Sequence, residues 1–169
     1  MAKEILFVER QRFNQIWHLI LIIAINGLLL FACYKQIIKG ERFGMNSLSN
    51  IGLVVLTILC FIISVLILKF LILETKITNE GVFVRFYPFH RKFIHYPWKI
   101  ISQAFITSYH PMREYGGWGL RYKPFKAAKA YNVSGNKGLQ LVFVNGRKLL
   151  IGTQKEHELQ GVLEIIPKQ

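Results

Sequence analysis

The chain has 169 residues, 52% of them hydrophobic, and a formal net charge of +13. The apolar excess lies almost wholly before Glu74, which excludes an ordinary single soluble domain and leaves a tail, 74–169, able to bury one small core but not two. Cys33 and Cys60 both sit in apolar runs and Asp is absent, which excludes a disulfide framework, a cysteine zinc site in the tail and any Asp-dependent chemistry.

Residues 1–15 read as a short arm carrying Lys3, Arg10 and Arg12. Residues 16–34 (IWHLILIIAINGLLLFACY) contain no acid and no Lys or Arg, and are long enough to cross a ~30 Å hydrocarbon core. Trp17 and His18 at one end and Tyr34 at the other suit the interface. Residues 51–73 form a second such run, interrupted only by Lys69, whose ammonium can snorkel to the headgroups. The basic start and the tetrapeptide Leu30-Phe31-Ala32-Cys33 also resemble a lipoprotein signal peptide with its lipidated cysteine. The length of the leader, Glu4 and Glu9, the bulk of Phe31 and the second run weigh against that reading.

Two spans joined by the connector 35–50 make a transmembrane helical hairpin over 16–73, which places both termini on one side. Basic residues near the spans are almost evenly divided, and the excess in the tail favours the cytoplasmic side of an inner membrane. Asn26 and Gly27 in the first run and Ser64 in the second are the residues suited to helix packing, within the pair or against a larger assembly.

After Leu73 the pattern turns to strands. TKIT (75–78) alternates, Asn79-Glu80-Gly81 is a turn, and VFVRFYPF (82–89) resumes with Val82, Val84 and Phe86 on one face. The basic turn His90-Arg91-Lys92 leads to strands at 93–96 and 104–110. Residues 111–128 read as an irregular excursion with three glycines around Trp118. Strands return at 129–134 and 139–144, the latter pairing with 147–151 across Asn145-Gly146, the dipeptide of a two-residue type I′ turn. Thr153 and Glu156 fit a capping box, followed by a helix to about Ile165 with Leu159, Val162, Leu163 and Ile166 as its apolar stripe.

The opening ETKITNEGVFVRFYPF, the central YGGWGLRY and the run GNKGLQLVFVNGRKLLIGTQKEHEL resemble the bacterial pleckstrin-homology-like proteins that carry such a domain after two N-terminal transmembrane helices. The resemblance covers the spans and about the last hundred residues. It implies a mainly-β domain over 74–169, a bent antiparallel barrel of about six or seven strands with a C-terminal helix. Eukaryotic relatives bind phosphoinositides through a basic loop between their first strands. Arg91 and Lys92 occupy the comparable turn, without the dense basic pattern that would carry over that specificity.

No pair of carboxylates, no HxxxH or HExxH spacing and no phosphate-binding glycine loop is present, so neither an enzyme nor a metal or cofactor site is expected. The tail from Glu74 has 15 Lys/Arg and 6 Glu, a charge of +9 that points to anionic lipid headgroups or an acidic protein partner. Arg91, Lys92, Trp118, Arg121, Lys123 and Lys126 are the candidate binding residues for a ligand or a membrane surface. The expected partners are therefore membrane lipids, and a protein partner or a second copy, but not nucleic acid, since no reading module is present. Alternatively, the hairpin of spans is itself the working part, as an accessory subunit of a transporter or larger membrane assembly.

Overall fold

Two units make up the structure, a computed structural model that describes residues 4–13, 15–44, 48–123 and 128–166. One unit is the helical segment 13–70; the other joins residues 71–169 with the first twelve.

In the helical unit, α1 (Ile16–Cys33) is prolonged by a π-helical turn, Tyr34–Ile38, and α2 covers Asn50–Phe70. Both helices are long and apolar enough to cross a membrane. Only 6% and 11% of their apolar windows are buried, unlike the core helix of a soluble domain. Their polar groups turn towards each other. Asn26 Nδ2 donates to Ser64 Oγ at 3.0 Å and to Ile22 O at 2.8 Å, and Cys33 Sγ lies 3.3 Å from Thr57 Oγ1. These pairs run in opposite senses along the two helices and define an antiparallel hairpin. Gln36 Nε2 closes its connector by donating to Leu48 O (2.6 Å) and Asn50 Oδ1 (3.0 Å).

The second run ends earlier than its hydropathy suggests. Ile72 and Leu73, apolar enough to extend the span, are instead 8% and 0% exposed in the strand β2 (Ile72–Thr78). The N-terminal arm is also more than an arm. Residues Ile5–Arg12 form β1, which pairs antiparallel with β2 from Ile5↔Thr78 to Arg12↔Ile72.

With β3 (Gly81–Tyr87) and β4 (Ile94–Pro97), these strands build a four-stranded sheet in chain order. Its buried face carries Leu73 and Ile77 together with Val82, Val84 and Phe86, the last three on the face that their alternation predicts.

A 3₁₀ turn, Trp98–Ile100, leads to the second sheet. Its strands are β5 (Ile101–Ser108), β6 (Gly119–Lys123), β7 (Ala128–Asn132), β8 (Lys137–Phe143) and β9 (Lys148–Gly152), in the order β5-β8-β9-β7-β6. Phe86 of the first sheet lies 6.4 Å from Tyr131 of the second, and Tyr96 lies 5.2 Å from Phe143, so the two sheets face each other. The expected barrel of six or seven antiparallel strands is thus replaced, among the described residues, by nine strands in two sheets that do not close. Moreover, β7 and β9 run parallel. The two unforeseen strands are β1 and β6, and the irregular excursion before β6 contains a short helix, α3 (Pro111–Tyr115).

The closing helix α4 (Glu156–Ile165) packs on β5 and β1, with Leu159 1% exposed and Val162, Leu163 and Ile166 half-buried. Its expected capping box does not form. The Thr153 hydroxyl accepts from Lys155 N–H (3.1 Å) but donates to Glu9 Oε2 (2.7 Å), while Glu156 pairs with Lys137 at 2.9 Å. Glu9 Oε1 also accepts from Gln154 N–H at 2.8 Å, and Gln11 Nε2 donates to Gly152 O at 2.7 Å. Two buried polar residues of β1 therefore clasp the β9–α4 junction.

The β8–β9 hairpin is present, but its loop holds three residues, not two. Phe143 N–H donates to Arg147 O at 2.9 Å, Gly146 N–H donates to Phe143 O at 2.8 Å, and Gly146 takes a positive φ (77°).

Candidate functional site

The predicted site residues fall on different sheets. Arg91 and Lys92 are exposed in the loop that leaves β3 of the first sheet. The preceding Phe89 is 64% exposed, although its ring stacks 5.8 Å from Phe86. His90 N–H donates to Phe86 O at 2.8 Å and fixes the turn. Arg12, Ile72 and Tyr87 stand in register across β1, β2 and β3, so this loop leaves the end of the sheet from which the chain continues into α1 and out of α2. Residues 13–15 and Leu71 alone make those connections.

Arg121 and Lys123 belong to β6 of the second sheet, and Trp118 lies in the bend just before it. Gly116 (φ 70°) ends α3, with its N–H and that of Gly117 donating to Met112 O and Pro111 O at 3.1 and 2.9 Å. Trp118 Nε1 donates to Gly135 O at 3.2 Å, and Gly119 N–H to Asn132 Oδ1 at 2.9 Å. The glycine-rich stretch thus caps a helix and starts β6. Arg121 is exposed on β6 opposite Ala130, and Lys123 ends that strand opposite Ala128. Lys126 lies outside the described residues.

Other cations are already engaged. Arg85 donates to Glu74 through Nε (2.7 Å) and Nη2, and Arg10 lies 3.4 Å from the same carboxylate. Lys76 and Arg85 also sit over the Phe93 ring, at 4.8 and 4.7 Å.

A cleft of about 220 Å³ opens between the sheets, a feature with no local sequence motif. Tyr96, Phe143 and buried Leu149 are among its apolar lining, and Lys129, Arg147 and Lys148 are exposed at it. Burial pushes the Tyr96 and Tyr131 phenols up, so both stay neutral at physiological pH. Among the described residues no group of three or more His, Cys, Asp or Glu side chains is placed to hold a metal ion.

His90 supplies a titration. Its Nδ1 accepts from Phe86 N–H at 3.4 Å, and its ring lies 5.4 Å from Tyr131. Burial, and next the charge of Lys129, push its pKa below the usual 6.5. The folded chain therefore favours the neutral imidazole. This contribution is fully present above pH 6.5 and is lost as pH falls through the lowered folded value. Thermal unfolding should show that decline between neutral and mildly acidic pH, and His90→Gln should flatten it. A slope unchanged in the variant would assign the decline to other groups.

No family model, curated protein or solved structure matches the chain.

Proposed function

We propose that the chain is an integral protein of a bacterial inner membrane. Its pleckstrin-homology-like β unit acts without catalysis, as a cytoplasmic module that engages anionic lipid headgroups and, through them or beside them, a protein partner. One observation carries the reading. The loop with exposed Phe89, Arg91 and Lys92 leaves the end of the first sheet that the chain ties to both apolar helices. With those helices in a bilayer, a loop of this composition meets the interface, its ring suited to the acyl boundary and its cations to the headgroups.

The β1–β2 ladder supports the topology. Residues 5–12 and 72–78 belong to one sheet, so the helices between them cross as a pair or not at all. Their apolar, largely unburied surfaces favour crossing. Each basic side chain near an anionic leaflet contributes about 1 kcal/mol, so the two here orient the unit without a stereospecific pocket. The mostly-β unit with its closing helix agrees with the pleckstrin-homology-like resemblance, while the open sheets and the parallel β7–β9 pair depart from the barrel.

Hydrogen exchange of the full-length chain in nanodiscs tests this. Amides of residues 88–93 should exchange at least tenfold more slowly in discs containing phosphatidylglycerol than in phosphatidylcholine alone. High salt, or Arg91→Gln with Lys92→Gln, should remove the difference. Equal exchange in both lipids would overturn the proposal. A role for the hairpin as an assembly subunit is favoured less, because Asn26 Nδ2 and Ser64 Oγ bond each other within it.

A further inference from the structure

We propose that the cleft between the sheets is a second binding site, taking a small organic anion: a phosphomonoester or carboxylate on a single ring or a short acyl chain. It goes beyond the lipid-surface reading and uses different residues.

Three observations converge on it. First, Lys129, Arg147 and Lys148 line the opening from β7, the β8–β9 loop and β9; in the parallel pairing of β7 with β9, Lys129 stands opposite Leu149 and shares its face, while Lys148 stands opposite Ala128 on the other. Second, among the described residues none of the three is in an ion pair, and none of the residues lining the cleft is acidic. Arg85 and Lys137, by contrast, are held by Glu74 and Glu156. The field of Lys129 acts on its surroundings, since it helps depress the pKa of His90. Third, Tyr96 and Phe143 lie 5.2 Å apart in the lining beside Leu149, which is 1% exposed.

Cations over an apolar floor are complementary to an anion with an apolar body. The Arg147 guanidinium can take two oxygens of a phosphate or carboxylate at once, and Lys129 adds a point charge. Size limits the body. The cavity, about 220 Å³, is smaller than the ~300 Å³ at which drug-sized sites begin, so its floor suits one ring or a short chain.

The test is ¹⁹F NMR titration of 4-fluorophenyl phosphate onto the full-length chain in phosphatidylcholine nanodiscs. Saturable binding is expected. Inorganic phosphate, which lacks the body, and 4-fluorophenol, which lacks the charge, should each bind at least tenfold more weakly. Lys129→Gln with Arg147→Gln should weaken 4-fluorophenyl phosphate at least tenfold while leaving the thermal transition in place. Arg91→Gln with Lys92→Gln should leave this affinity intact even if the lipid-surface proposal fails. Repeating the titration with phosphatidic acid in the disc distinguishes sources: displacement points to a lipid phosphate, no displacement to a soluble one, and either retains the site. Binding no tighter than that of inorganic phosphate or 4-fluorophenol, binding unchanged in the cleft variant, or no saturable binding overturns the proposal.

Discussion

Removing residues 1–12 should unfold the β unit. β1 covers one edge of β2, buries Phe7 to 2% exposure and carries Glu9 and Gln11, which satisfy groups at the β9–α4 junction. Burying the Phe7 ring alone contributes about 1.5–3 kcal/mol. Glu9→Ala isolates one of these effects. It leaves the Thr153 hydroxyl and the Gln154 N–H without their acceptor, at about 1–3 kcal/mol for each group that water does not reach. A loss of about 3 kcal/mol lowers the midpoint of a unit this size by roughly 12–24 °C. Thermal unfolding of the full-length chain in detergent, followed by near-ultraviolet circular dichroism, reads the variant directly. For a chain starting at residue 13, the expected result is loss of the cooperative β transition. A midpoint within a few degrees of the parent would show β1 to be dispensable.

Gly81→Ala should be as damaging through a single carbon. Gly81 starts β3 with a φ of 153° and pairs with both Thr78 and Pro97. A Cβ there would collide with the Tyr96 carbonyl oxygen and come within 2.7 Å of Pro97 Cα. These are backbone atoms, so β4 itself must move. Moving it strains Trp98 N–H to Glu80 O (3.3 Å) and Trp98 Nε1 to Thr78 O (3.0 Å). The expected loss is about 3 kcal/mol, the upper end for overpacking. Gly161→Ala is the control. Gly161 is an exposed residue of α4 with nothing within 4 Å of an added Cβ, so helix propensity acts alone and stability should rise by about 0.5–1 kcal/mol. Chemical denaturation separates the two, and equal shifts in both variants would remove the steric account.

Comparison with the sequence shows which signals were local. Val82, Val84 and Phe86 alternate with Phe83, Arg85 and Tyr87, and the buried face follows that period. The stripe of α4 was readable from its helical period, and the two apolar helices from the length of their runs. β1 was not, because its inward positions are Phe7, Glu9 and Gln11. A buried carboxyl is acceptable there only through Thr153 and Gln154, which lie 144 and 145 residues further on. In sequence, Glu9, Arg10 and Arg12 look like the solvated flank of a span. Thr153 and Glu156 matched a capping box, but tertiary partners took both side chains. Asn26 and Ser64 were legible as packing residues because polar groups in an apolar helix need a partner, but their pairing with each other was not, and Gly27, read with them, has nothing within 4 Å of an added Cβ. Arg91 and Lys92 were visible as a basic turn, whereas the cleft draws its lining from residues between 96 and 149 that meet only through the sheet order.

The β1–β2 ladder also bears on how the chain matures. Strand β1 leaves the ribosome before both helices yet has no partner in the sheet until residues 72–78 follow, so it waits through their synthesis. Antiparallel pairing of the helices, fixed by Asn26–Ser64 and Cys33–Thr57, draws Ile16 and Phe70 towards each other and shortens the loop that β1 must close. Formation of the helical hairpin and assembly of the sheet are then thermodynamically linked. Substitutions that loosen the hairpin should slow acquisition of the β structure even though they touch none of its strands.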